Sequence, residues 1–164
     1  MKIFFIRHAE AIEYETSTVT LDEYRFITPN GRKVTKEIVK HLKEKFLGLE
    51  KIFTSPLTRA VQTAEIFADE LNFEGEVELV DELRNEAATS TLQQMVKDTA
   101  ESNDSIALVG HEPKMSFLLK LYTGLTELNF DFKKSGVCLV EFDIKSGVGT
   151  LKWYFNPETM EFVK

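Results

Sequence analysis

Three short stretches of this chain place chemically active side chains where an apolar run stops. "KIFFIRHAEA" carries Arg7 and His8 behind Ile3–Ile6, "FTSPLTRAVQT" carries Ser55 and Arg59 behind Ile52 and Phe53, and "ALVGHEP" carries His111 behind Ala107–Val109. A neutral imidazole is a nucleophile and a proton carrier near neutral pH. A guanidinium donates in a planar fork that matches the oxygens of a phosphate. Brought together, two of each make a site for phosphoryl transfer. Taken singly, each has a plain structural explanation, since an arginine at a strand end pairs with surface carboxylates and a lone histidine is commonly structural or exposed. Their recurrence at equivalent positions argues otherwise. His41, in the charged segment "VKHLKEK", is the contrasting case and reads as solvated.

The elements that must position these groups follow from periodicity. The run 2–6 is a buried strand. After a polar loop, Thr28 caps a helix over 28–46 with Pro29 in its first turn and Val34, Ile38, Leu42 and Phe46 on one stripe. Strand 51–55 leads into a helix over 56–71, with Ser55 as N-cap, Pro56 first in the helix, and Leu57, Val61, Ala64, Ala68 and Leu71 facing inward. A third strand over 77–83, a helix over 91–99, a fourth strand over 105–110 and a helix from Pro113 to near Gly124 come next. Strands 136–143 and 149–155, the second with Trp153 packed by its ring, form a hairpin around Ser146, Gly147 and Gly149. Alternating strands and helices predict an α/β fold: a three-layer α/β/α sandwich whose mostly parallel sheet gains one or two antiparallel edge strands from the C-terminal hairpin. Ligands of such sheets bind beyond the carboxyl ends of the strands. That is where the histidines and arginines fall.

Composition narrows the chemistry. The 164 residues suit one domain, 1–164, and with 43% hydrophobic and 29% charged residues the chain has the means to fold. A net charge of −7 argues against nucleic acid or an anionic membrane as partner, so an anionic ligand needs a local positive site. The first apolar run ends at Arg7, too short for a signal or a membrane span, and predicts a cytoplasmic protein. Cys138, the one cysteine, lies in the buried-strand pattern "GVCLVEF" and reads as packing. No His-rich or Cys-rich spacing suggests a metal, no Walker pattern suggests a nucleotide, and no cofactor is expected.

"IRHAEA", "TSPLTRAVQTAE" and "VGHEP", in this order, resemble the motifs of the histidine phosphatase superfamily, with Ala9 in place of the glycine of its Arg-His-Gly signature. "RFITPNGR", from Arg25 to Arg32, resembles the R-x-L-T-x-x-G helix entry of SixA-type phosphohistidine phosphatases. The resemblance implies a phosphoglycerate mutase-like fold. It also implies His8 as nucleophile, a phosphohistidine enzyme intermediate, and Arg7, Arg59 and His111 as further catalytic groups that, with Ser55, bind the phosphoryl group. The residues fit that assignment physically, because Arg7 and Arg59 disfavour a protonated His8.

The proton donor stays open among Glu82 and Glu86 in "DELRNEAATS" and Glu112 after the second histidine, each of which also reads as a solvated or helix-start acid. A phosphohistidine substrate needs less of such an acid, since its imidazole leaving group can already carry a proton. Lys133 and Lys134 could border the site or protect a strand edge, Arg25 and Arg32 read as helix-entry surface charges, and Arg84 could reach a phosphate. The expected activity is metal-independent dephosphorylation of phosphohistidine on a signalling or phosphotransfer protein. The alternatives are a phosphatase of a small phosphoester metabolite and a non-catalytic phosphate-binding module.

Overall fold

The computed structural model describes residues 1–13 and 19–163; part of the polar loop expected after the first strand lies outside them. Strand β1 (Lys2–Arg7) buries Ile3, Phe4, Phe5 and Ile6 completely, so an unbroken apolar run here means a strand covered on both faces. The sheet has seven strands in the order β3 (Glu76–Leu79), β2 (Lys51–Thr54), β4 (Ser105–Gly110), β1, β5 (Val137–Asp143), β6 (Val148–Asn156), β7 (Glu161–Val163). The first four run parallel and the last three antiparallel.

Alternation along β1 assigns the two faces. Ile3 and Phe5 pack with α3 (Thr89–Ala100) and α4 (Lys114–Thr123), through Leu92, Val96, Met115, Leu118 and Tyr122. Phe4 and Ile6 pack with α1 (Pro29–Leu42) and α2 (Thr58–Leu71), through Ile38, Val39, Leu42, Ala60, Ala64 and Phe67. The expected three layers are present. Trp153 packs on the second face, tilted against Phe4 at 6.2 Å.

Several boundaries differ from the sequence reading, each for a local reason. Helix α1 is capped by the Thr28 side chain as expected but gives way at Lys43 to a 3-10 turn ending at Phe46. Helix α2 starts at Thr58 with Leu57 at the N-cap, so Ser55 is not its cap. The buried face of α2 is centred on Ala60, Ala64 and Phe67, with Val61 and Ala68 half-exposed, because Arg59 and Thr63 also turn inward. The third strand stops at Leu79, and Asp81–Leu83 forms a 3-10 turn. The hairpin is not a bare edge: β5 pairs with the central β1, and β7 adds a strand the sequence did not signal. Its turn holds Gly147 at φ +71°, a conformation that suits glycine. Among the described residues no helix is long and apolar enough to cross a membrane.

Candidate active site

Parallel register brings the two histidines together. Arg7 of β1 pairs with Gly110 of β4, and His8 donates its backbone N–H to the Gly110 carbonyl at 2.9 Å, so His8 and His111 each stand one step beyond paired residues. Their ring centroids are 5.0 Å apart. Strand β2 pairs with the other side of β4, and the Ser55 N–H donates to the Val109 carbonyl at 3.0 Å, which sets Ser55 beside His111. In the first turn of α2, Arg59 lies over the edge of the His8 ring, with its Nε 3.3 Å from His8 Nε2.

Hydrogen bonding decides the His8 tautomer. Nδ1 is 2.7 Å from the Ala9 carbonyl, an acceptor only, so Nδ1 carries the proton and Nε2 keeps its lone pair. That lone pair faces the Arg59 Nε–H, a donor that does not give up its proton. His8 is only 7% exposed, and desolvation, then His111, Arg59 and Arg7, push its pKa down to about 3 against the opposing carbonyl contact. Burial likewise drives His111 to about 3, helped by Arg59 and Arg7. His111 Nε2 is 2.8 Å from Ser55 Oγ, while its Nδ1 is buried without a partner. The Ser55 hydroxyl therefore serves His111 rather than a helix end, with a long 3.4 Å contact from the Leu57 N–H. Arg7 donates from Nη1 to the Phe132 carbonyl at 2.6 Å, and its Nε is also buried without a partner. A buried guanidinium N–H left unpaired costs about 1–3 kcal/mol, so this cluster favours an acceptor-rich anion.

Neutral histidines make a pH prediction. In the unfolded chain both bind protons near the ordinary 6.5, while in the fold they do so near 3. The stability they contribute is whole above pH 6.5 and drains away as pH falls toward 3. The thermal midpoint should drop by about 5 °C or more between pH 7 and pH 5, and less in His111→Asn. A flat midpoint would mean that the folded histidines take up protons normally.

The candidate acids divide. Glu112 lies with Arg7 along a cavity of about 630 Å³ that also meets Lys120, Phe132 and Lys133. Its carboxylate accepts from the Ser116 N–H at 2.9 Å and the Ser116 hydroxyl at 2.6 Å. Glu86 is 3.9 Å from Arg84 Nη1 and largely exposed, and Glu82 is half-buried with its field felt at Lys114. Arg84 is held by Asp81 at 2.7 Å. Lys133 pairs with Asp131 and Glu158 and, with Lys134, lines a second cavity beside Arg7. Edge protection does not explain these lysines, because β5 is an interior strand. His41 is exposed, as expected, though its ring also rests against Phe155.

Residues not singled out in the sequence complete the scaffold. Thr63 Oγ1 accepts from the Ala9 N–H at 3.0 Å and donates to the Arg59 carbonyl at 2.7 Å, tying the loop after His8 to the helix that carries Arg59. Ser135, at φ +63°, donates its N–H to the carbonyls of Arg7 and His8 and shares a 2.9 Å hydroxyl contact with Thr35. Gly31 lets α1 approach the same loop: a Cβ there would lie within 3.2 Å of the Glu10 carbonyl carbon. Lys114, buried, donates to the carbonyls of Arg84 and Ala87 and pins the loop that bears Glu86. The spacing R-x-x-x-T from Arg59 to Thr63 was the one available signal, since it sets two polar groups on one helical face. Among the described residues no group of three or more His, Cys, Asp or Glu is placed to hold a metal.

Residues 3–90 match the model of the histidine phosphatase superfamily, branch 1. The chain belongs to this superfamily. This histidine phosphatase is 28% identical to phosphohistidine phosphatase SixA of Escherichia coli K12 over 166 aligned positions, covering 100% of the chain and 99% of the relative. It superposes on a structure of the protein histidine phosphatase SixA complexed with tungstate with a TM-score of 0.86, at 26% identity, covering 98% of this chain and 100% of that one. A mycobacterial glucosyl-3-phosphoglycerate phosphatase shares the fold, with a TM-score of 0.68 at 14% identity and coverages of 92% and 96%.

Proposed function

We propose that this histidine phosphatase dephosphorylates phosphohistidine on a protein through a phosphoenzyme intermediate on His8, without a metal ion. The observation that carries the reading is the unprotonated Nε2 of His8, aimed at the Arg59 Nε–H and flanked by the unpaired Arg7 Nε and His111 Nδ1. Nε2 attacks phosphorus as the bond to the leaving imidazole breaks. Arg59 Nε–H, held in place as the lone pair leaves it for phosphorus, donates to a phosphoryl oxygen, and Arg7 and His111 donate to the others as charge accumulates there. With the substrate ring in its protonated, imidazolium form, the leaving imidazole departs neutral and keeps the proton on its second nitrogen. Water then attacks the phosphorylated His8, releases inorganic phosphate and restores the neutral ring.

Two features favour a protein substrate. The segment that reaches Arg59 carries Leu21, Tyr24 and Phe26, all large, apolar and exposed, the surface a macromolecular partner covers. Two of the candidate acids among the described residues are already engaged, Glu112 by Ser116 and Glu86 by Arg84. A site without a poised acid suits a P–N bond better than an alkyl phosphate, whose alkoxide must be protonated. Glu112, beside Arg7, is the acid placed to serve if one is used.

The test is turnover in excess chelator with a phosphohistidine-bearing phosphotransfer protein, phosphoserine and phosphotyrosine peptides, and sugar phosphates. The phosphohistidine protein should lead in kcat/KM by at least about tenfold, and chelation should leave its rate intact. Equal or faster turnover of the small esters makes this a metabolite phosphatase. A loss restored by magnesium or zinc removes the arginine-based mechanism, and phosphate binding without turnover makes the domain a binding module.

A further inference from the structure

The Arg59 guanidinium has two edges, and they face different things. Nε meets His8, while Nη1 donates to the Asp22 backbone carbonyl at 2.9 Å and Nη2 to Asp22 Oδ2 at 2.9 Å. Asp22 opens the 3-10 turn Asp22–Tyr24, which stands outside the sheet. Its other oxygen accepts from Arg25 Nη1 at 3.0 Å, and Arg25 in turn donates from Nε to the Ile12 carbonyl at 2.6 Å. Arg25 is therefore an internal strut, not the surface charge expected from its place at a helix entry. The Asp22 carboxylate is ionised: burial raises its pKa, but the hydrogen bonds from Arg59 and Arg25 outweigh that and hold it below its ordinary value.

Such a clamp does two things. It leaves the guanidinium one free orientation, with the Nε edge toward the nucleophile, so that ordering Arg59 costs no entropy during the reaction. It also puts a negative charge behind a cation that must first attract a phosphoryl group and then release phosphate. The field of Asp22 reaches His111, where it opposes that of Arg59.

We infer that Asp22 is a positioning residue of the phosphoryl site: it fixes the orientation of Arg59 and limits how tightly that arginine retains inorganic phosphate. This rests on the reading of Arg59 as a phosphoryl ligand. Asp22→Asn keeps an oxygen for Nη2 but removes the charge, whereas Asp22→Ala removes both. Inorganic phosphate, measured as a competitive inhibitor and by calorimetry, should bind Asp22→Asn about threefold to tenfold more tightly than the wild type, the range for one partly screened charge. Asp22→Ala should lose about tenfold or more in kcat/KM, and Asp22→Asn should lose less. In an Arg59→Ala background neither substitution should have a further effect on phosphate affinity.

Phosphate affinity in Asp22→Asn equal to or weaker than wild type overturns the inference, whether or not Asp22→Ala folds. So do equal losses of kcat/KM in the two variants, which mark a contact that merely supports the turn. An Arg59→Ala enzyme with undiminished phosphate affinity is a different result, because it removes Arg59 from the phosphoryl site and with it the functional reading.

Discussion

His8→Ala should turn over no substrate at a measurable rate, a loss of at least about 10⁴-fold, while it keeps the fold and binds inorganic phosphate. The ring makes few contacts whose loss would disturb the sheet: Nδ1 to the Ala9 carbonyl, Nε2 to Arg59, and the face of His111. The other imidazole of the pair has Nε2 engaged with Ser55. The decisive measurement is a quench in mid-turnover with labelled substrate under alkaline conditions, where phosphohistidine persists, followed by mass spectrometry. Phosphate on His8 in the wild type, absent in the variant, is the expected result. Label on His111 would exchange the two roles, and substantial activity in His8→Ala would end the covalent mechanism.

Arg7→Ala and Arg59→Ala should each lower turnover by about a hundredfold or more, the usual effect of deleting one preorganised donor to a charged transition state. Arg59→Ala should be the more damaging, since Arg59 is the cation whose Nε–H meets His8 Nε2 directly. Arg59→Lys should recover little, because an ammonium cannot hold Asp22 with one edge and meet the phosphoryl group with the other. Near-normal turnover in either alanine variant would reassign that arginine to structure.

Much of this was legible in the chain because parallel sheets make strand ends comparable. Once "FFIRH" and "ALVGH" were read as parallel strands, their histidines were expected at corresponding strand ends; that the two strands are neighbours, with Arg7 paired to Gly110, came from the structure. Periodicity cannot report where a polar side chain finds its partner. Ser55 looked like a helix cap because serine before proline suits that role, yet its hydroxyl went to His111. Asp22 carried no signal, since its contact with Arg59 spans 37 residues and depends on the path of a loop. The strand expected to run to residue 83 ended early because "DEL" begins a 3-10 turn whose Leu83 is fully buried in the core on the α3 and α4 face.

The central position of β1 has a consequence for how the enzyme fails. β1 has a hydrogen-bonded neighbour on each side, β4 and β5, and helices cover both of its faces. Amides at Phe4–Ile6 can exchange with solvent deuterium only when the sheet opens through its middle, an event close in free energy to global unfolding. The strand that leads to His8 thus belongs to the last cooperative unit to open, and denaturant should extinguish phosphoenzyme formation together with the slowest-exchanging amides. The turn bearing Asp22 lies outside that unit, so the hold on Arg59 can loosen in excursions that leave His8 in place.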